Sequence, residues 1–138
     1  MELNYTAIIL ASVLQFVFGA IWYTPVFGKT WGRIHGFDKY PKEVQEKMMK
    51  GMGPILGMQF LATVVTTVVF ALLLDGVTTD WSAYSLAGLF WIGFIVPTQV
   101  SAVLFGGTEP QWIVKKILIA TGGSLGCVMI AAGVLSTM

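Results

Sequence analysis

"PILGMQFLATVVTTVVFALLL", Pro54–Leu74, runs the width of a bilayer without one charged side chain. Roughly 20 predominantly apolar residues at 1.5 Å each cover about 30 Å of hydrocarbon. A membrane β-strand would be about half as long and would alternate polar with apolar positions. The stretch therefore reads as a transmembrane helix. Outward from it, three further segments meet the same test: 3–24, 81–105 and 112–137. Together they define an all-α integral membrane protein, one domain over residues 1–138, with four transmembrane helices and a loop at 25–53. Composition agrees, at 56% hydrophobic and 11% charged, against about 25% charged in soluble domains. Mean hydropathy is +0.79.

The first segment carries Glu2 where a cleavable signal would carry a basic residue, and its apolar run is too long for one. It is expected to remain as a span. Cys127 is the only cysteine, so no internal disulfide is expected and one thiol makes no metal site.

Charge is split between the two ends of the spans. Lys29, Arg33, Lys39, Lys42, Lys47 and Lys50 lie between the first and second segments, and Lys115 and Lys116 open the fourth. Glu2, Asp75 and Asp80 fall at the other end. Basic residues beside span ends mark the cytoplasmic side. The expectation is a cytoplasmic (plasma) membrane protein with both termini outside and the basic loop inside. Either the six loop cations only set this topology, or they also attract anionic headgroups by about 1 kcal/mol each while close to the surface. The bilayer, and not nucleic acid, is their expected partner.

Trp22-Tyr23-Thr24-Pro25 ends the first segment, and proline disfavours helix at the residue before it, so the helix is expected to stop or kink at Thr24. Phe27, Gly28 and Trp31 then return along the interface. In Pro41–Met52 the apolar residues Val44, Met48 and Met52 recur every four positions, with Glu43–Lys47 and Glu46–Lys50 pairs on the other face. This predicts a short amphipathic helix on the cytoplasmic leaflet. "TTD" before Trp81 offers caps for the third helix. Pro97 within that helix leaves the Gly93 carbonyl without its donor and predicts a kink. Gly122/Gly126, Gly53/Gly57 and Ala83/Ala87 follow the small-xxx-small pattern of close helix contacts, within or between subunits. A faint repeat, Tyr5 to Phe27-Gly28 and Trp31 against Tyr84 to Phe105-Gly106 and Trp112, suggests two parallel halves.

"FGAIWYTPVFGKTW", Phe18–Trp31, and "FWIGFIVPTQVSAVLFGGTEPQW", Phe90–Trp112, resemble the two signature blocks of the domain-of-unknown-function family 1761. The first block pairs a Trp-Tyr-x-Pro helix end with Phe-Gly and a further Trp. The second has Gly-Phe before a proline, then a polar turn with proline. The turn Phe105–Glu109 departs from the family pattern, so no role is carried over to it. The resemblance implies a small four-helix membrane protein and brings no established activity.

An ionisable residue at membrane depth would be a functional candidate by default, and none lies away from the span ends. This argues against proton-coupled transport and voltage sensing. With no nucleophile–base pair, paired carboxylates or metal-ligand set, no enzyme activity and no cofactor are expected. His35, the only histidine, is a loop residue. What remains is neutral and polar. Gln15 lies mid-way along the first helix, while Gln59 and Gln99 are expected to share a depth about a third of the way from the cytoplasm. Either these amides form interhelical bonds, or they line a neutral polar site together with Gly93 and Pro97. Trp22 and Tyr23 are either interface anchors or walls of a vestibule.

The resulting expectation is a passive transporter or channel for a small solute or ion, acting as a homo-oligomer, with Gln99→Leu abolishing flux. The alternative is an accessory or scaffold subunit docking a membrane-protein partner through its small-residue faces. Replacing Gly122 and Gly126 by Leu is then expected to release that partner.

Overall fold

Each apolar segment forms a helix long enough to cross a membrane in the computed structural model, which describes residues 3–138. Glu2 lies outside the described residues. The four spans are Tyr5–Val26, Met52–Gly76, Ala83–Phe105 and Pro110–Thr137, within a few residues of the sequence boundaries. No strand occurs among the described residues.

In span 1, α1 (Tyr5–Ile21) begins on Asn4, whose side chain accepts from the Ala7 amide at 3.0 Å, a standard N-cap bond. Pro25 does not end the span at Thr24. The α-helix passes into one π-helical turn, Trp22–Val26, which contains Pro25. The Phe27 amide closes that turn onto the Trp22 carbonyl at 3.0 Å. A π-turn accommodates one extra residue, so the missing donor and the proline ring widen the helix locally instead of breaking it. Span 3 repeats the device. Here α5 (Ala83–Phe90) passes through a π-turn, Trp91–Ile95, into α6 (Val96–Phe105), and the Val96 amide returns to the Trp91 carbonyl. Pro97 sits in the first turn of α6, where a proline is tolerated. The kink expected at Pro97 thus appears as a π-turn just before it. Ser82, and not a residue of "TTD", caps α5 by accepting from the Ser85 amide at 3.2 Å.

Between spans 1 and 2 the chain forms two short helices, α2 (Gly28–Ile34) and α3 (Lys42–Lys50). Gly36, at φ 72°, turns the chain after α2, a conformation open to glycine. Gln45 ties α3 back by donating both amide hydrogens, to the Phe37 and Tyr40 carbonyls at 3.1 and 2.9 Å. Val44 and Met48 remain exposed on α3, as an interfacial helix requires.

Lys39 and Glu109 approach to 3.7 Å. Both are exposed, so the pair adds little stability, but it shows that the 27–51 and 106–109 loops lie at the same end. Asn4 donates to the Met138 carbonyl at 3.4 Å, placing the described N-terminal residues and the C-terminus together at the other. These are termed the basic and acidic ends.

Span 4, whose long helix is α7 (Ile113–Thr137), is the centre of the packing. It lies against α1 on one side and against α5, its π-turn and α6 on the other. Span 2, the helix α4 (Met52–Gly76), packs chiefly on α1. Near the acidic end Phe70 of α4 joins Ala87, Val128, Ala131 and Ala132 in an apolar cluster. Lipid is as apolar as leucine, so close van der Waals packing of small residues supplies the association. Gly122, Gly123 and Gly126 show this directly. A Cβ on Gly122 would stand 3.0 Å from the Trp22 ring, one on Gly123 3.0 Å from both the Trp22 ring and the Tyr23 hydroxyl, and one on Gly126 would overlap the Phe18 ring. The stripe containing Gly122 and Gly126 is therefore the seat of α1 within the same chain. Leucine at these positions would disrupt the fold itself, so that substitution does not isolate a partner contact. Gly53 and Gly57 meet nothing within 4 Å.

Candidate functional site

The polar residues at depth couple helices in the order span 2, span 1, span 4, span 3. Gln15, buried on α1, donates to the Thr67 hydroxyl on α4 at 2.8 Å and to its own Ala11 carbonyl at 3.1 Å. The Thr67 hydroxyl donates in turn to the Thr63 carbonyl at 2.7 Å. Trp22 donates its indole N–H to the Ile119 carbonyl on α7 at 2.9 Å. Trp91 reaches α7 from the other side, donating to the Thr121 carbonyl at 3.0 Å with the Ser124 hydroxyl at 3.1 Å. The Ser124 hydroxyl donates to Gln99 Oε1 at 2.9 Å. Both π-turns thus begin with a tryptophan bonded to the central helix.

Of the residues expected to form one polar site, the structure gathers few. Gln15 and Gln99 belong to different couplings on opposite sides of α7. Gln59 is exposed, and no bond joins it to Gln99 among the described residues. A shared depth did not give a shared direction, because α4 and α6 present different faces. Gly93 and Pro97 are exposed, and nothing lies within 4 Å of a Cβ built on Gly93. Trp22 and Tyr23 are half-buried against the glycines of α7, with the Trp22 N–H directed into the protein instead of toward headgroups. Tyr23 stacks at a tilt on Trp31 at 4.8 Å, and Trp31 on His35 at 4.6 Å. His35 Nδ1 lies 2.8 Å from the Trp31 carbonyl, so its ring is held by α2.

Gln15→Leu tests the coupling between spans 1 and 2. Thr67 keeps its bond to Thr63, so the loss expected is one interhelical bond, about 0.6 kcal/mol, read as a small shift in unfolding midpoint in mixed micelles.

A concavity lies elsewhere, at the acidic end. A cavity of about 370 Å³ opens there, lined by Asn4, Asp75, Thr79, Trp81 and Ser136 among others, over a floor that includes Ala7, Leu74, Leu86 and Leu135. Its size falls in the range of small-molecule sites. Among the described residues its lining includes one carboxylate residue, one tryptophan, two hydroxyl residues and a primary amide. Sequence reading placed Asp75 at this end but missed the site. The one available signal was that Asn4, Asp75, Thr79 and Ser136 all fall at span ends on the side opposite the lysines. A second, apolar concavity of about 140 Å³ runs between spans 2 and 3, along Phe70, Leu73, Leu89, Phe90 and Phe94. No cluster of three metal-ligating side chains occurs among the described residues.

Fold and site define a small four-span membrane protein whose helices are coupled by hydrogen bonds at depth and which opens a cavity at the acidic end. A family model described as "Protein of unknown function (DUF1761)" matches residues 6–136. The chain belongs to that family. No curated protein and no solved structure gives a match.

Proposed function

We propose that the protein moves a small solute passively across the membrane, and that the cavity at the acidic end is where the solute first binds. One observation carries this reading: the roughly 370 Å³ opening that brings Asp75, Asn4, Thr79, Ser136 and Trp81 together. A carboxylate and a tryptophan on the same lining suit a small organic cation, since both groups attract positive charge. With the basic loops in the cytoplasm, this mouth faces outward. Below it the apolar cluster around Phe70 and Ala87 closes the path, so passage requires the spans to shift. The π-turns at Trp22–Val26 and Trp91–Ile95 are the irregular points in the two helices flanking span 4, and turns of this kind frequently accompany function. Among the described residues no nucleophile–base pair lines the cavity, which supports binding and passage over catalysis.

Asp75→Asn tests the reading. Binding of small quaternary and primary ammonium ions to the protein in nanodiscs is expected to weaken about tenfold to a hundredfold, the range for loss of one charge-assisted contact. Equal binding by the variant, or no binding of any such cation by the parent, removes the assignment.

The accessory-subunit reading is favoured by one specific feature, the exposed amide of Gln59 on α4. A membrane partner on that face would satisfy it.

A further inference from the structure

We infer that the α4 face carrying Gln59 is the contact between two copies of this chain, with the two Gln59 amides bonded to each other across a two-fold axis along the membrane normal. This deepens the homo-oligomer expectation drawn from the sequence and does not depend on the solute.

Gln59 is the exception among the glutamines of the spans. Gln15 bonds Thr67 and Gln99 bonds Ser124. On α4 the hydroxyls of Thr63, Thr66 and Thr67 are each closed onto a carbonyl one turn back. The Gln59 carbonyl receives Thr63, but its side chain is exposed and has no partner among the described residues. Because α4 starts at Met52, this amide lies roughly 10 Å along the helix, within the hydrocarbon. An unpartnered amide is disfavoured there, since no water reaches it.

The neighbours of Gln59 describe a face. Met52, Ile55, Gln59, Ala62, Thr66 and Val69 follow one another at alternating spacings of three and four, the repeat of a helix–helix seam. All but Met52 are exposed. Around the helix, Met58, Leu61 and Val65 are also exposed but entirely apolar, which is what lipid accepts without a partner. Among the described residues in the first five turns of α4, Gln59 is the polar side chain without a partner, and it falls on the seam and not on the apolar side.

A second copy is the occupant this chemistry selects. A primary amide has two donor hydrogens and an acceptor oxygen, so it complements itself. A two-fold along the membrane normal brings each seam residue opposite its own counterpart and keeps both basic ends on one side. Thr66 on the seam is closed onto its own helix, so one unpaired amide is left to fix the register, and Ala62 lets the two axes approach.

The test uses the full chain in native membranes on a Cys127→Ser background. Single cysteines replace Ile55, Gln59, Ala62 or Thr66 in one set and Met58, Leu61 or Val65 in another, followed by oxidation. Dimer-sized disulfide products are expected from the first set and not from the second. Equal products from both sets, or none from either, overturn the proposal. In a second measurement, Gln59→Leu is expected to weaken dimerisation in bilayers about tenfold, while Gln59→Asn retains most of it. An unchanged equilibrium in Gln59→Leu overturns the amide pairing. A stoichiometric complex with a different protein in place of the dimer overturns the choice of occupant. Failure of the acidic-end cavity to bind cations would leave the cross-linking pattern untouched, so the two readings fail separately.

Discussion

Gly126→Leu is expected to prevent α1 from seating on α7. The Phe18 ring already occupies the position of the first added carbon, and three more carbons follow it. Phe18 cannot simply rotate away, because it stacks on Trp22 at 5.6 Å, and Trp22 in turn packs against Phe27 at 4.7 Å. Overpacking a close contact costs about 1–3 kcal/mol and sometimes more. Here the contact is the principal one between α1 and the central helix, and the polar bond from Trp22 to Ile119 depends on the same approach. The expected result is loss of the folded protein at expression temperature, or an unfolding midpoint in mixed micelles far below the parent's. Gly126→Ala should fall between the two. Full stability of Gly126→Leu would show that the α1–α7 contact is not as close as described. Gly53→Leu, with nothing within 4 Å of its Cβ, is the matched control and should leave stability unchanged.

Trp22→Ala is the second large effect. The indole fills the surface left by Gly122 and Gly123 and donates to the Ile119 carbonyl at 2.9 Å. In water, truncating a core tryptophan costs about 3–5 kcal/mol. Within lipid the apolar transfer term largely drops out, leaving lost packing and one hydrogen bond, so about 2–3 kcal/mol is expected. Trp22→Phe separates the two contributions. It keeps most of the packing and loses the donor, and should cost about 0.6 kcal/mol. Reversible unfolding of both variants in the same micelles provides the comparison. Equal losses for Ala and Phe would assign the role to the hydrogen bond, and a negligible loss for Ala would mean that the side chain serves only at the interface.

Residues Trp22 and Tyr23 show where sequence reasoning reached its limit. An aromatic pair before a proline at a span end reads as a membrane-boundary feature. Nothing local, however, distinguishes an indole facing headgroups from one facing a helix about a hundred positions later. Only the glycines of α7 open room for it, and their register against α1 is a tertiary fact. The same holds for Pro25 and Pro97. Local rules give the missing donor and the clash. Whether the chain stops, kinks or widens into a π-turn is decided by what the flanking helix packs against. Gln59 and Gln99 give the converse lesson, since equal depth follows from counting residues and direction does not.

By itself, the sequence determined the four spans, their boundaries to within a few residues and the gathering of basic residues at one end. The reason is that lipid solvates each span almost independently. A run of apolar residues long enough to satisfy its own backbone becomes a helix regardless of its neighbours, and charge at its ends is legible from the run alone. Tertiary structure alone decided that span 4 is the central helix, that Gly122, Gly123 and Gly126 receive α1 of the same chain, and that Asn4, Asp75, Thr79 and Ser136 meet around a cavity. These depend on which faces of the spans turn toward one another. In a bilayer, hydrophobicity does not distinguish those faces, because lipid and protein interior are equally apolar. Shape and single hydrogen bonds make the choice, and both are properties of pairs of helices that no single segment carries.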